Sequence, residues 1–201
     1  MFIYLKSLAS HWVGVVALIH ISLLFTQILL LWPIETQLLG PLAAYASVFF
    51  LPHASRVLAS WLLGPKALLA LVPAEISVAY VVTEGFLGSV SPLMDVVSAT
   101  VAASTAVVAF EFMKFMKINV YPRADQVPNW RGVVFAGILA SVFNSITGAL
   151  IKTSMMPTGD VFDIICRYLI GDTVGLVFGM VVLLLLFRLF TGKQQTGGVE
   201  R

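Results

Sequence analysis

Long apolar runs separated by short polar breaks dominate the chain. Six of them, near 11–34, 40–63, 65–84, 91–116, 131–153 and 162–190, meet or approach the roughly 20 residues that a helix needs to cross a bilayer. The first and last read most plainly, because Val13–Trp32 and Leu176–Phe187 contain no acidic, lysine or arginine side chain. Leu31, Trp32 and Pro33 close the first run, with Trp32 at a depth suited to an interfacial indole. The run is too long for a signal peptide, and no small-residue cleavage pattern follows it.

Gly64 and Pro65 separate the second and third runs with almost no loop, which forces a tight reversal or a re-entrant hairpin. Pro52 lies inside the second run and Pro73 inside the third. Each removes a backbone donor and is expected to kink its helix. The carbonyls so freed need partners that lipid does not offer, so both prolines are expected to face protein. The predicted fold is all-α: a polytopic transmembrane helical bundle of about six spans, forming one domain over 1–190, with a flexible polar tail at 191–201.

Charge supports this count. With a cytoplasmic N-terminus, the inside segments hold Lys6, Lys66, Lys114, Lys117, Arg123, Arg131, Arg188, Lys193 and Arg201. The outside loops hold Glu35, Glu84 and Asp160, with Lys152 as their clear basic residue. That asymmetry is the positive-inside bias, and it predicts both termini on the cytoplasmic side of a bacterial inner membrane.

Composition removes the soluble alternative. Hydrophobic residues make up 59% of the 201 residues and charged residues 11%, against about a quarter charged in a soluble domain. The net charge of +2 reflects topology and not nucleic-acid binding. One cysteine, Cys166, excludes an internal disulfide and a CxxC pair. The chain carries no phosphate-binding glycine loop, HExxH, GxSxG or CxxCH, so no catalytic residue, metal or cofactor is expected, and the chain is not read as an enzyme.

Ionisable groups at membrane depth are what remains. His53 and Arg56 stand three apart on one helical face, continued by Ser60, and Glu75 follows Pro73 by two residues. These three could surround an anionic or zwitterionic ligand. The plainer alternative has Arg56 paired structurally with Glu75 or snorkelling to an interface. In the last run Asp163 and Arg167 have ion-pair spacing, and Asp172 lies deeper within Gly171, Gly175 and Gly179. This GxxxGxxxG stripe lets another backbone approach closely and reads as helix packing. A carboxylate beside such a contact must be protonated, paired or hydrated. Ser141, Asn144, Ser145 and Gly148 form a narrow polar strip on the fifth run. Asn144 is placed to bind a substrate group or to fasten helices. Gln27 reads as a fastener, and Glu111 as neutralised by Lys114.

Two segments carry a family resemblance. The closing RYLIGDTVGLVFGMVVLLLLF and the earlier VFFLPHASRVLASWLLGPKALLALVPAE resemble the MASE1 family of bacterial integral-membrane sensory domains. The matching positions are Pro52, Arg56, Gly64, Pro73, Gly171, Asp172 and Gly175. The resemblance implies a sensory or ligand-binding protein, here without an effector domain of its own, where family members have about eight spans and precede a signalling enzyme. In size and span count the chain also resembles the six-helix substrate-binding subunits of energy-coupling-factor transporters. An accessory subunit of a larger membrane complex is the third reading. Arg56, His53, Glu75, Asn144 and Asp172 are the candidate ligand-binding residues. The expected partners are membrane lipids, a small anionic or zwitterionic ligand and a separate membrane or cytoplasmic protein, with no nucleic acid.

Overall fold

The computed structural model describes residues 12–39, 47–85, 91–123, 128–155 and 161–196. Helices α1 (Trp12–Thr26) and α2 (Trp32–Leu39) are joined end to end by a π-helical turn, Gln27–Leu31. α3 (Pro52–Leu63) and α4 (Leu68–Val82) flank a short 3₁₀ turn, Gly64–Ala67. Then come α5 (Pro92–Phe115), α6 (Trp130–Met155) and α7 (Val161–Thr196). No strand occurs among the described residues. The chain is a polytopic α-helical membrane protein: five segments, Trp12–Leu38, Pro52–Val82, Pro92–Phe115, Trp130–Ile151 and Ile164–Leu185, are long and apolar enough to cross a bilayer.

The bundle exposes large apolar side chains and buries several polar ones. Leu38, Leu93 and Phe115 are 78%, 71% and 82% exposed, whereas His20, His53 and Ser141 are fully buried. In water this arrangement would cost both hydrophobic and desolvation free energy; in lipid it is the favourable one.

Pro52–Val82 is not one crossing. Arg56 and Glu75 are 19 residues apart and hydrogen-bonded at 2.8 Å, whereas a continuous helix would hold them about 28 Å apart. The chain therefore reverses at Gly64, whose φ of 61° is open to glycine at no steric cost. Its two arms, of 12 and 15 residues, are about 18 and 22 Å long, short of the roughly 30 Å hydrocarbon core. The sequence reading of a second span at 40–63 needs correction on this point. Residues 40–46 lie outside the described residues, Ser47–Phe50 is non-helical, and the helix begins at Pro52. Pro52 is thus not an internal kink. It takes the first helical position, where its missing N–H is not needed.

Non-helical backbone at this depth needs partners, and side chains supply them. Phe49 N–H donates to Glu35 (2.9 Å) and Leu51 N–H to Gln27 Oε1 (3.1 Å), while Phe50 N–H donates to the Gly171 carbonyl (3.0 Å). Glu35, read from sequence as a loop charge, is a buried residue of α2. The π turn has a local cause as well: it widens the helix just ahead of Pro33, whose ring would crowd a regular α-helical carbonyl. Pro73 also departs from expectation. It is exposed while Pro52 is buried, and the Ser77 hydroxyl donates to its carbonyl (2.6 Å).

A close-packed core of Val57, Trp61, Phe110, Met113, Val133, Leu176 and neighbouring alanines fills one half of the bundle. The 116–123 loop seals that end. Trp61 Nε1–H donates to the Val120 carbonyl at 2.9 Å and its ring packs on Trp130. Tyr121 stacks on Phe110 and donates to Glu111 at 2.8 Å. Burial and the Glu111 carboxylate push the Tyr121 hydroxyl well above its ordinary pKa, so it remains a donor. Glu111 also lies 3.5 Å from Lys114. At the other end of the chain, α7 runs on to Thr196, past the expected start of the tail at 191; residues 197–201 lie outside the described residues.

Candidate functional site

Two of the buried polar clusters among the described residues are anchored on α3. The first joins α1, α3 and α4. Arg56 Nε donates to Glu75 Oε1 at 2.8 Å, and Arg56 Nη2 donates to the same oxygen. His20 Nε2 lies 2.9 Å from that oxygen, and His20 Nδ1 lies 2.7 Å from Ser55 Oγ. The Phe50 ring centroid is 5.2 Å from Arg56 Cζ, a cation–π distance. The guanidinium is 3% exposed, yet its Nη1 has no hydrogen-bond partner. An orphaned donor on a buried cation is costly.

The second cluster joins α3, α6 and α7. Asn144 Nδ2 donates to Asp172 Oδ2 at 2.7 Å. His53 Nδ1 lies 3.6 Å from the same carboxylate oxygen. On its other edge, His53 Nε2 is 3.1 Å from both the Gly137 carbonyl oxygen and Ser141 Oγ. Helical spacing sets this face: Gly137, Ser141 and Asn144 fall at i, i+4 and i+7 on α6, one above the next.

A cavity of about 310 Å³ meets both clusters through Arg56, Glu75 and Asn144. Its remaining wall is mostly apolar, with Leu24, Val78, Ala99, Ala102 and Tyr168 among the lining residues. Val82, Thr83, Asp95 and Ile151 line it at the ends of α4, α5 and α6 remote from the Trp61–Val120 seal. The volume would hold about ten water molecules, or one small molecule presenting a charged group to Arg56 and an apolar body to the wall.

Three of the five candidate ligand-binding residues, Arg56, Glu75 and Asn144, thus line one cavity. His53 and Asp172 do not line it; they stand behind Asn144. Gly171, Gly175 and Gly179 contact the α3 arm and its lead-in. A methyl group at Gly171 would strike the Ser47 carbonyl, at Gly175 the Phe50 carbonyl, and at Gly179 the Ala54 side chain. Asp163 belongs to α7, but its side chain lies outside the described residues, as does the expected contact with Arg167. Among the described residues, no three His, Cys, Asp or Glu side chains converge in a way that could hold a metal.

Sequence reasoning did not place His20, Phe50 or Asp95 at the candidate site. For His20 there was a signal: His20, Leu24 and Gln27 follow one helical face at i, i+4 and i+7, and all three are buried. Phe50 and Asp95 had none, since each depends on which helix lies opposite.

No protein-family model, curated protein or solved structure matches the chain.

Proposed function

We propose that this chain is a membrane-embedded receptor that binds a small anionic or zwitterionic molecule in the α3–α6 cavity, acting by binding and not by catalysis. The observation that carries this reading is the buried Arg56 guanidinium, which lines the cavity and keeps one nitrogen, Nη1, unpartnered. Glu75 and His20 hold the side chain in place, Phe50 covers its face, and Asn144 offers an amide to a second polar group of the ligand. Lys66, Lys114, Lys117, Arg123 and Arg131 belong to the sealed end, so the positive-inside rule assigns that end to the cytoplasm and the cavity to the outer side of a bacterial inner membrane.

The finer role follows from how binding is passed on. A sensory role of the MASE1 kind rests on the paired segments around Pro52–Pro73 and Gly171–Gly175, which meet in the fold. A second reading, the substrate-binding subunit of a transporter, is favoured by one specific feature. α3 is a short helix beginning inside the bundle after irregular backbone, and transport proteins build substrate sites from such discontinuous helices.

Native mass spectrometry of the protein released from native-lipid particles tests the binding role. The expected result is a reproducible small molecule on the wild type, lost from Arg56→Gln and from Ala102→Phe, which narrows the cavity and leaves both members of the ion pair present. The Ala102→Phe variant keeps the test valid if Arg56→Gln fails to fold. Retention of the molecule by both variants, or a wild type that carries only lipid or a protein partner, would sink the reading and favour an accessory subunit.

A further inference from the structure

The His53–Asp172 pair lies outside the cavity, and the binding role makes no use of it. We propose that these two residues form a proton-binding site inside the bundle, holding one proton between them. The argument rests on which atoms can donate. His53 Nε2 lies 3.1 Å from the Gly137 carbonyl oxygen, and a carbonyl oxygen only accepts. Nε2 therefore carries the hydrogen, shared with Ser141 Oγ, whose own hydroxyl donates to the same carbonyl at 3.1 Å. In a neutral ring this leaves Nδ1 as a bare lone pair. That lone pair lies 3.6 Å from Asp172 Oδ2, which as an ionised carboxylate is likewise acceptor-only.

Two acceptors at that distance, both sealed from water, repel each other, and the gap is too narrow for a bridging water. A single proton removes the conflict. Placed on the carboxyl, it makes Asp172 a neutral acid facing Nδ1; placed on Nδ1, it makes an imidazolium–carboxylate pair. Burial argues the same way. Asp172 is 1% exposed, its Oδ1 has no hydrogen-bond partner, and Oδ2 receives the single neutral donor of Asn144. An ionised carboxylate with one neutral hydrogen bond and an orphaned oxygen is among the costliest groups a buried site can hold.

Among the described residues the surroundings supply no cation that is not already engaged. On His53's own helix Arg56 is engaged by Glu75, with His20 on the other side of that carboxylate. α6 presents Gly137, Ser141, Asn144 and Ser145, all uncharged, and α7 contributes Asp172 itself. Because Asn144 touches Asp172 and also lines the cavity, a change in proton occupancy would be felt at the cavity wall. The proton site itself does not depend on the ligand reading.

Infrared spectra of wild-type protein labelled with ¹³C at the aspartate carboxyl, taken at neutral pH in light and heavy water, would detect a protonated Asp172. Nitrogen NMR of ¹⁵N-histidine protein would give the state of the His53 ring, assigned by its loss in His53→Gln. The label needs no variant, and Asp172→Asn serves as confirmation where it folds. The expected result is one of two: a label- and deuterium-sensitive carboxylic acid band that Asp172→Asn removes, or a doubly protonated His53 ring. A singly protonated ring together with no acid band would overturn the proposal, whichever nitrogen carries the hydrogen. That outcome would leave the cavity reading untouched.

Discussion

Arg56 and Glu75 carry opposite charges in an environment that tolerates neither alone. Glu75→Leu leaves a buried guanidinium without its carboxylate, and Arg56→Met leaves the reverse. Breaking a buried pair from one side typically costs about 3–5 kcal/mol. Replacing both with apolar residues removes the uncompensated charge, so Arg56→Met/Glu75→Leu is expected to be more stable than either single variant. Equilibrium unfolding in mixed micelles, arranged as a double-mutant cycle, measures this directly. Additive single effects would mean that the pair does not act as a unit. This pairing was legible in the sequence because ionisable residues at membrane depth are few and stand out. His20 was not legible as its third member. Its shared helical face with Leu24 and Gln27 marks it as inward-facing but not what lies opposite, and only the fold brings it to within 2.9 Å of Glu75.

Helical elements repeat the lesson at a larger size. The Gly171, Gly175 and Gly179 stripe announces close approach by another backbone, and any reader of the sequence would supply a helix as the partner. What lies there is the irregular Ser47–Leu51 strip and the first turn of α3. No period in the sequence advertises it, because the Phe49, Phe50 and Leu51 N–H groups reach Glu35, Gly171 and Gln27, which stand at no regular spacing from the strip. The three glycines therefore differ in what they tolerate. At Gly171 and Gly175 an added methyl meets a backbone carbonyl, whereas at Gly179 it meets the Ala54 methyl. Over-packing of this kind costs about 1–3 kcal/mol, and backbone gives way less readily than a side chain. Gly175→Ala is thus expected to lower thermal stability by more than Gly179→Ala, and also to weaken whatever molecule the wild type retains, because Phe50 packs against Arg56. Equal losses at the two positions would show that the carbonyl contact is not what distinguishes them.

For the whole molecule, the decisive feature is the reversal at Gly64. By length and hydropathy alone Pro52–Val82 passes for a single span of 31 residues; the Gly64–Pro65 break signals two arms, and the 19-residue separation of Arg56 and Glu75 requires them. The two descriptions place Lys66 differently. In one crossing it would lie near the hydrocarbon midplane, a costly position for an ammonium. In the hairpin it sits at the turn, on the same end as Lys117 and opposite Glu84. Single cysteines at Lys66, Glu84 and Lys117, introduced into a Cys166→Ser background, separate these cases. With a membrane-impermeant maleimide applied to intact cells, Glu84→Cys is expected to react, while Lys66→Cys and Lys117→Cys react only after the membrane is opened. An unreactive Lys66→Cys under both conditions would restore the single crossing and remove the α3 arm from the bundle. Labelling of Lys66→Cys and Lys117→Cys from outside the intact cell would keep the hairpin but invert the protein, turning the cavity toward the cytoplasm. The hairpin is also what brings Arg56 beneath the cavity and His53 against Asp172, so this one accessibility pattern bears on both sites at once.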